Sequence, residues 1–234
     1  MIAIRRSAQR GKADHGWLLA RHSFSFADYH DPHEMGWGAL RVINEDVVAP
    51  AEGFPMHGHR DMEIVTLLLA GALEHRDSLG NGAVIRPGEV QRMSAGTGVR
   101  HSEFNPSADE AAHLLQIWIR PRAAGGAPGY EQRSFAAREG ATLLVSPDGR
   151  DGSARIGQES SLTRLRLGVR EDATVSLAPG RLGYAHVISG ELSVAAAADS
   201  LRIAAGDGLK VADETVVRFS AETPADLLWF DLPA

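Results

Sequence analysis

Four side chains in the first half of the chain have the types and spacing of metal ligands. They are His57 and His59 in FPMHGHRDMEIVTLLLAG, then His101 and Glu103 in GTGVRHSEFNP. Each pair is spaced i, i+2, which on a β-strand turns both side chains to one face. Two neighbouring strands can therefore aim three imidazoles and one carboxylate at a common point. Such a donor set suits one divalent transition ion per chain, with iron the foremost candidate and manganese, nickel, copper, cobalt or zinc also matching. Calcium and magnesium match poorly because they prefer oxygen ligands. A lone H-x-H string carries little weight. The metal reading rests on the second pair, which follows a glycine-rich turn and can be brought beside the first by the intervening hairpin.

The elements that must position these residues read as strands. Apolar runs such as IVTLLLAG, HLLQIWIRP, TRLRLGV, YAHVISG and DLLWFDL are short, and Gly, Asn-Gly, Pro-Gly or Asp-Gly closes many of the runs along the chain. None sustains a period of 3.6, so the pattern predicts an all-β sandwich or barrel. Short helical connectors are expected only at 107–112 and 134–139. Residues 67–93 and 186–211 repeat each other, with Gly71 matching Gly190 and Gly88 matching Gly206 at turns that need positive φ. The chain thus reads as a duplication: a metal-binding domain at 1–130 and a second domain at 131–234, joined through the Gly/Pro/Ala-rich stretch 121–132. The copies are chemically unequal. Nine of the ten histidines lie at or before His113, so the second copy is expected to be a scaffold.

Composition excludes several classes. With no cysteine among 234 residues, disulfides, thiolate zinc sites and iron–sulfur clusters are ruled out. A net charge of -6 argues against direct nucleic-acid binding, which normally uses a basic excess. The opening segment MIAIRRSAQRGKADHGW lacks an apolar core of signal-peptide length and no run approaches a membrane span, so a soluble, cytoplasmic protein is expected. The string Gly96-Thr97-Gly98 meets neither nucleotide-binding fingerprint and reads as a tight turn delivering His101. His30 and His33 in YHDPHE read as a surface loop, and His75, His113 and His186 as structural histidines. Nothing assigns chemistry to His22. Phe54, Met56 and Met93 are expected to line an apolar mouth.

With two sandwich copies, H-x-H entering a strand, and Gly98, His101 and Asn105 in G-x-x-H-x-x-x-N, the chain resembles the cupin superfamily and, more narrowly, the pirin family of bicupins. The resemblance is carried by RHSFSFADYHDP, GWGALRVINEDVVAPAEGF, HGHRDMEIVTLLLAGALEHRDSLGN and GEVQRMSAGTGVRHSE, covering most of residues 20–120. It implies two tandem jelly-roll domains, with one metal held in the first by His57, His59, His101 and Glu103. Pirins commonly place Pro where this chain has Gly58. Many other cupins draw their carboxylate ligand from the first motif, here Glu63, whereas the pirin pattern takes Glu103. The resemblance further implies a dioxygenase opening flavonols such as quercetin with O2 and releasing carbon monoxide, Glu103 serving as ligand and as base toward the substrate hydroxyl. The competing reading is a metal-dependent regulatory protein that turns a surface toward a protein partner.

Overall fold

In the computed structural model, which describes residues 1–196 and 199–234, the alternating pattern resolves into four sheets that pair as two sandwiches. The large sheet of the first sandwich runs, in spatial order, Gly129–Ser134, Glu89–Ser94, Glu63–Ala70, Ala112–Ile119, Leu40–Val48, Leu18–His22 and Gly11–Asp14. Its small sheet runs Gly53–His59, Val99–Phe104, Leu73–Asp77 and Gly82–Ile85. The second sandwich repeats this plan, its small sheet being Asp172–Ser176, Val216–Ala221, Glu191–Ala196 and Asp199–Ala204. Its large sheet runs Ile2–Arg5, Gly208–Val211, Arg181–Ser189, Ala225–Pro233, Ser161–Leu167, Gly140–Ser146 and Ala154–Arg155. The chain is an all-β bicupin.

The matched turn glycines carry the duplication. Gly71 and Gly190 have φ of +74° and +86°, and a Cβ at either would overlap backbone of the facing strand, at Ala111–Ala112 and Pro224–Ala225. Only glycine meets both demands without strain.

Three apolar regions hold the fold. Ile43, Leu67, Leu115 and Ile117 on the outer face of the first large sheet pack against Tyr184, Leu228 and Phe230 of the second, each fully buried side chain contributing about 1.5–3 kcal/mol. The second sandwich encloses an apolar cluster that runs from Leu165 and Val187 to Phe219 and Trp229. The first sandwich is built differently. Along Glu63–Ala70 the inward residues are Ile64, Thr66 and Leu68, and along Ala112–Ile119 they are Leu114, Gln116 and Trp118. A polar layer therefore separates two small apolar clusters, one around Leu68 and Leu114, the other around Ile64 and Met93.

Several features differ from the sequence reading. The strands do not divide at residue 130. Ile2–Arg5 pairs with Gly208–Val211 of the second sandwich, where Ile2 and Ile4 cover its core, while Gly129–Ser134 pairs with Glu89–Ser94 of the first. Neither 107–112 nor 134–139 is helical. Asn105 occupies the backbone of the former instead, its Nδ2 donating to the Val48, Ala49 and Glu110 carbonyls and its Oδ1 accepting from the Ser107 amide. Phe135 is drawn onto the seam between the sandwiches, its amide donating to the Gly88 carbonyl. Helical geometry among the described residues is limited to short 3-10 turns at Ser7–Gln9 and Arg150–Gly152. No helix among them is long and apolar enough to cross a membrane.

Candidate metal centre

The two ligand-bearing strands are antiparallel neighbours in the small sheet, with His101 opposite His57 and Val99 opposite His59. The register slips between His101 and Glu103, so that Glu103 faces Phe54. This close passage requires Gly53, where a Cβ would overlap the Glu103 carbonyl oxygen. Gly58 carries no such demand, since a Cβ there meets nothing closer than 3.8 Å, and the departure from Pro is sterically harmless.

Three imidazoles converge. His101 Nε2 lies 2.9 Å from His59 Nε2 and 3.0 Å from His57 Nε2. Two cis ligands each about 2.1 Å from one ion would sit about 3.0 Å apart, given the usual metal–imidazole bond. The His57 ring is oriented from behind: its other nitrogen lies 2.8 Å from the Pro55 carbonyl, a contact that places the ring proton on Nδ1 and turns Nε2 toward His101. Burial, and secondarily the neighbouring imidazoles, push the His101 pKa far below the ordinary value and that of His59 to about 4. Both rings are therefore neutral donors at pH 7.

Glu103 is turned partly away from this trio. Its Oε2 accepts a hydrogen bond of 2.8 Å from Gln116 Nε2, and its Oε1 is buried without a hydrogen-bond partner among the described residues. Its carboxylate groups with His101 and His75, whereas His57, His59 and His101 form the other set of close ligand atoms. The structure thus brings three of the four expected residues to one point and places the fourth beside the shared His101. Burial raises the Glu103 pKa to about 7 despite the Gln116 bond. A buried carboxylate oxygen without a hydrogen-bond partner among the described residues, set beside a cluster of imidazole nitrogens, is a donor set that fits a transition ion.

The remaining candidates fall elsewhere. Glu63 accepts from Ser94 Oγ at 2.8 Å and lies against Gly157 of the second sandwich, away from the imidazoles. His30 and His33 are exposed. His22 is buried, its Nδ1 2.8 Å from Asn44 Oδ1. His113 lies 3.0 Å from Glu45, and His186 is buried between the sandwiches near Arg10 and Glu45. Met93 is a core residue, not part of a mouth.

A cavity of about 500 Å³ is walled by Trp17, Phe26, Tyr29 and Phe54 and has Asn44, Asp46 and Gln116 among its polar residues. Gln116 joins it to the metal centre, because the same side chain donates to Glu103 and accepts from Trp118 Nε1–H at 3.1 Å. Asp46 is buried with an unpartnered Oδ1. Its burial, then the nearby Glu103 charge, lifts its pKa to about 7. Sequence reasoning passed over Asp46 and Gln116. Their signal was polar residues on the inward face of a core strand, Asn44 and Asp46 in VINEDVV and Gln116 in LLQIW.

In the second sandwich the same positions are apolar. With Gly71 matched to Gly190, His75 and its cross-strand neighbour Glu103 have their counterparts in Val194 and Phe219, and Asp77 and His101 in Ala196 and Val217. Both ligand groups found among the described residues lie in the first sandwich.

Comparison with known proteins agrees with this division. The Pirin family profile matches residues 3–119, and that of the quercetinase C-terminal cupin domain matches 143–232. The chain is 46% identical over 233 residues to a quercetin 2,3-dioxygenase of Escherichia coli K12, covering 100% of this chain and 99% of the relative. It is 42% identical over 225 residues to a pirin-like protein of Caulobacter vibrioides, with coverage of 94% and 95%. The crystal structure of the bacterial pirin YhhW from Escherichia coli in complex with nickel(II) superposes with a TM-score of 0.95 at 45% identity, covering 100% of this chain and 99% of that one.

Proposed function

Since the chain belongs to the pirin family, we propose that it is a metal-dependent dioxygenase that opens flavonols such as quercetin with O2 and releases carbon monoxide. The observation that carries this reading is the aromatic-walled cavity joined to the metal centre through Gln116. Relatives that bear the name quercetin 2,3-dioxygenase support it.

His57, His59 and His101 would hold the ion, with Glu103 as the fourth ligand. When bound, a transition ion supplies Lewis acidity toward a phenol oxygen and redox chemistry toward O2. The residues of the chain do the rest. Trp17, Phe26, Tyr29 and Phe54 present ring faces and edges to a planar aromatic ligand and exclude water. Gln116, oriented by Trp118, holds Glu103 Oε2 and leaves Oε1 free to face the ligand hydroxyl. Glu103 is the basic group within this set that can accept the hydroxyl proton, a role with a typical contribution of about 10²- to 10⁴-fold.

The test is oxygen uptake together with carbon monoxide release, measured with quercetin and expressed per bound metal. Metal-loaded wild type is expected to turn over, and His101→Ala to lose bound metal and rate together. A metal-loaded wild type that consumes no oxygen with any phenol overturns the reading.

A further inference from the structure

We infer that Asp77 and His75 form an ordered hydrogen-bond relay that fixes the proton of His101 on Nδ1 and so keeps its Nε2 lone pair available to the ion. This rests on the metal reading above. His101 Nε2 points at the Nε2 atoms of His57 and His59. An imidazole that ligates through Nε2 while neutral carries its proton on Nδ1. That N–H needs an acceptor, and His75 Nδ1 lies 3.3 Å away. For His75 Nδ1 to accept, its own proton must sit on Nε2, which lies 3.1 Å from Asp77 Oδ2. The chain of donors has one consistent direction: His101 to His75 to Asp77.

Both relay side chains are fully buried, with relative exposures of 0% and 0%, so solvent offers no alternative partner. Asp77 is locked. Its Oδ1 accepts the Leu79 and Asn81 amides at 2.9 and 3.0 Å, and its Oδ2 also accepts Asn81 Nδ2 at 2.9 Å. His75 is stacked on Tyr130 with centroids 4.9 Å apart, which holds its plane. In the second sandwich the counterparts of His75 and Asp77 are Val194 and Ala196, so the relay has no equivalent there. Polar groups behind a ligating histidine commonly contribute about 10- to 100-fold in metal affinity. His75 and Asp77 are positioning residues in this sense.

The direction of the relay makes Asp77→Asn a sharp test. The backbone amides keep the asparagine Oδ1 in place, so its NH2 takes the position of Oδ2 and points a donor at His75 Nε2. The His75 proton then moves to Nδ1 and opposes the His101 N–H, which is relieved only by moving the His101 proton to Nε2, the ligating atom. Nickel(II) affinity, read by competition with a chelator, should fall about 10- to 100-fold in Asp77→Asn. His75→Phe, which preserves the stacking, should fall similarly, and the double variant no further. Asn81→Ala, which removes one donor from Oδ2 but leaves both backbone amides on Oδ1 and the carboxylate charge, should weaken binding less than Asp77→Asn. Imidazole nitrogen NMR of metal-free wild type should show Nε2–H on His75 and Nδ1–H on His101. That readout does not depend on whether the site loads, so it separates failure of the relay from failure of the metal reading. The inference is overturned by wild-type affinity in Asp77→Asn, by equal weakening in Asn81→Ala, or by an Nδ1–H on His75 in wild type.

Discussion

Glu103→Gln should change stability with opposite signs in the metal-free and metal-loaded protein. Burial lifts the Glu103 carboxyl from 4.5 to about 7, with the Gln116 hydrogen bond opposing. A carboxyl whose folded pKa is raised binds its proton more tightly in the folded state. Its contribution is therefore full below about 4.5 and is lost as pH climbs through 7. At about 1.4 kcal/mol per pH unit, the loss by pH 8 is about 3 kcal/mol. Glutamine keeps the volume and carries no charge. Metal-free Glu103→Gln should thus exceed metal-free wild type by up to about 3 kcal/mol at pH 8, or roughly 6–12 °C in Tm for a chain of this size. The two should converge toward pH 5. Asp46 adds in the same direction, because the Glu103 charge is one cause of its raised pKa. With nickel(II) present at about 1,000 times its Kd, wild type gains about 4 kcal/mol from binding to the folded state, and the variant, lacking the anionic ligand, gains less. The order should then shrink or invert. Thermal unfolding followed by circular dichroism at pH 5 and pH 8, with chelator and with excess nickel(II), reads all four conditions. A variant less stable than wild type at pH 8 in chelator, or a difference unaffected by pH and metal, would refute the reasoning.

Two further outcomes follow from the packing. His186→Ala should leave bound metal per chain unchanged, since His186 lies between the sandwiches near Arg10 and Glu45; elemental analysis showing a loss of metal would overturn the assignment of the second sandwich as scaffold. Gly53→Ala should destabilise the protein by about 1–3 kcal/mol, the usual cost of overpacking, because the new methyl overlaps the Glu103 carbonyl; denaturant unfolding checks it, and an unchanged midpoint would contradict the close passage of the two strands.

The trio of imidazoles was legible in the sequence because strand periodicity alone puts His57 with His59, and the glycine-rich turn before His101 implies a return to the same sheet. The duplication was legible because Gly71 and Gly190 meet the same backbone demand. What lay beyond reach depends on contacts distant in sequence. His75 reaches His101 only through pairing of Leu73–Asp77 with Val99–Phe104, and the direction of its proton depends on Asp77. The slip beside Glu103, which turns its carboxylate toward Gln116, is set by backbone crowding at Gly53. Ile2–Arg5 looks locally like an edge strand of either sandwich, and only the apolar border at Gly208–Val211 selects the second. Residues 107–112 have helical composition, but the Asn105 side chain satisfies their backbone another way.

The central claim is a single transition ion held by the first sandwich on His57, His59 and His101 with Glu103. Elemental analysis and circular dichroism on the same samples of wild type, His57→Ala and His101→Ala test it most directly. The account predicts about one ion per chain in wild type, little or none in either variant, and an unchanged β-sheet spectrum in all three, because the apolar seam and the second core do not involve the site. Full metal content in His101→Ala, or two ions per wild-type chain, would contradict it.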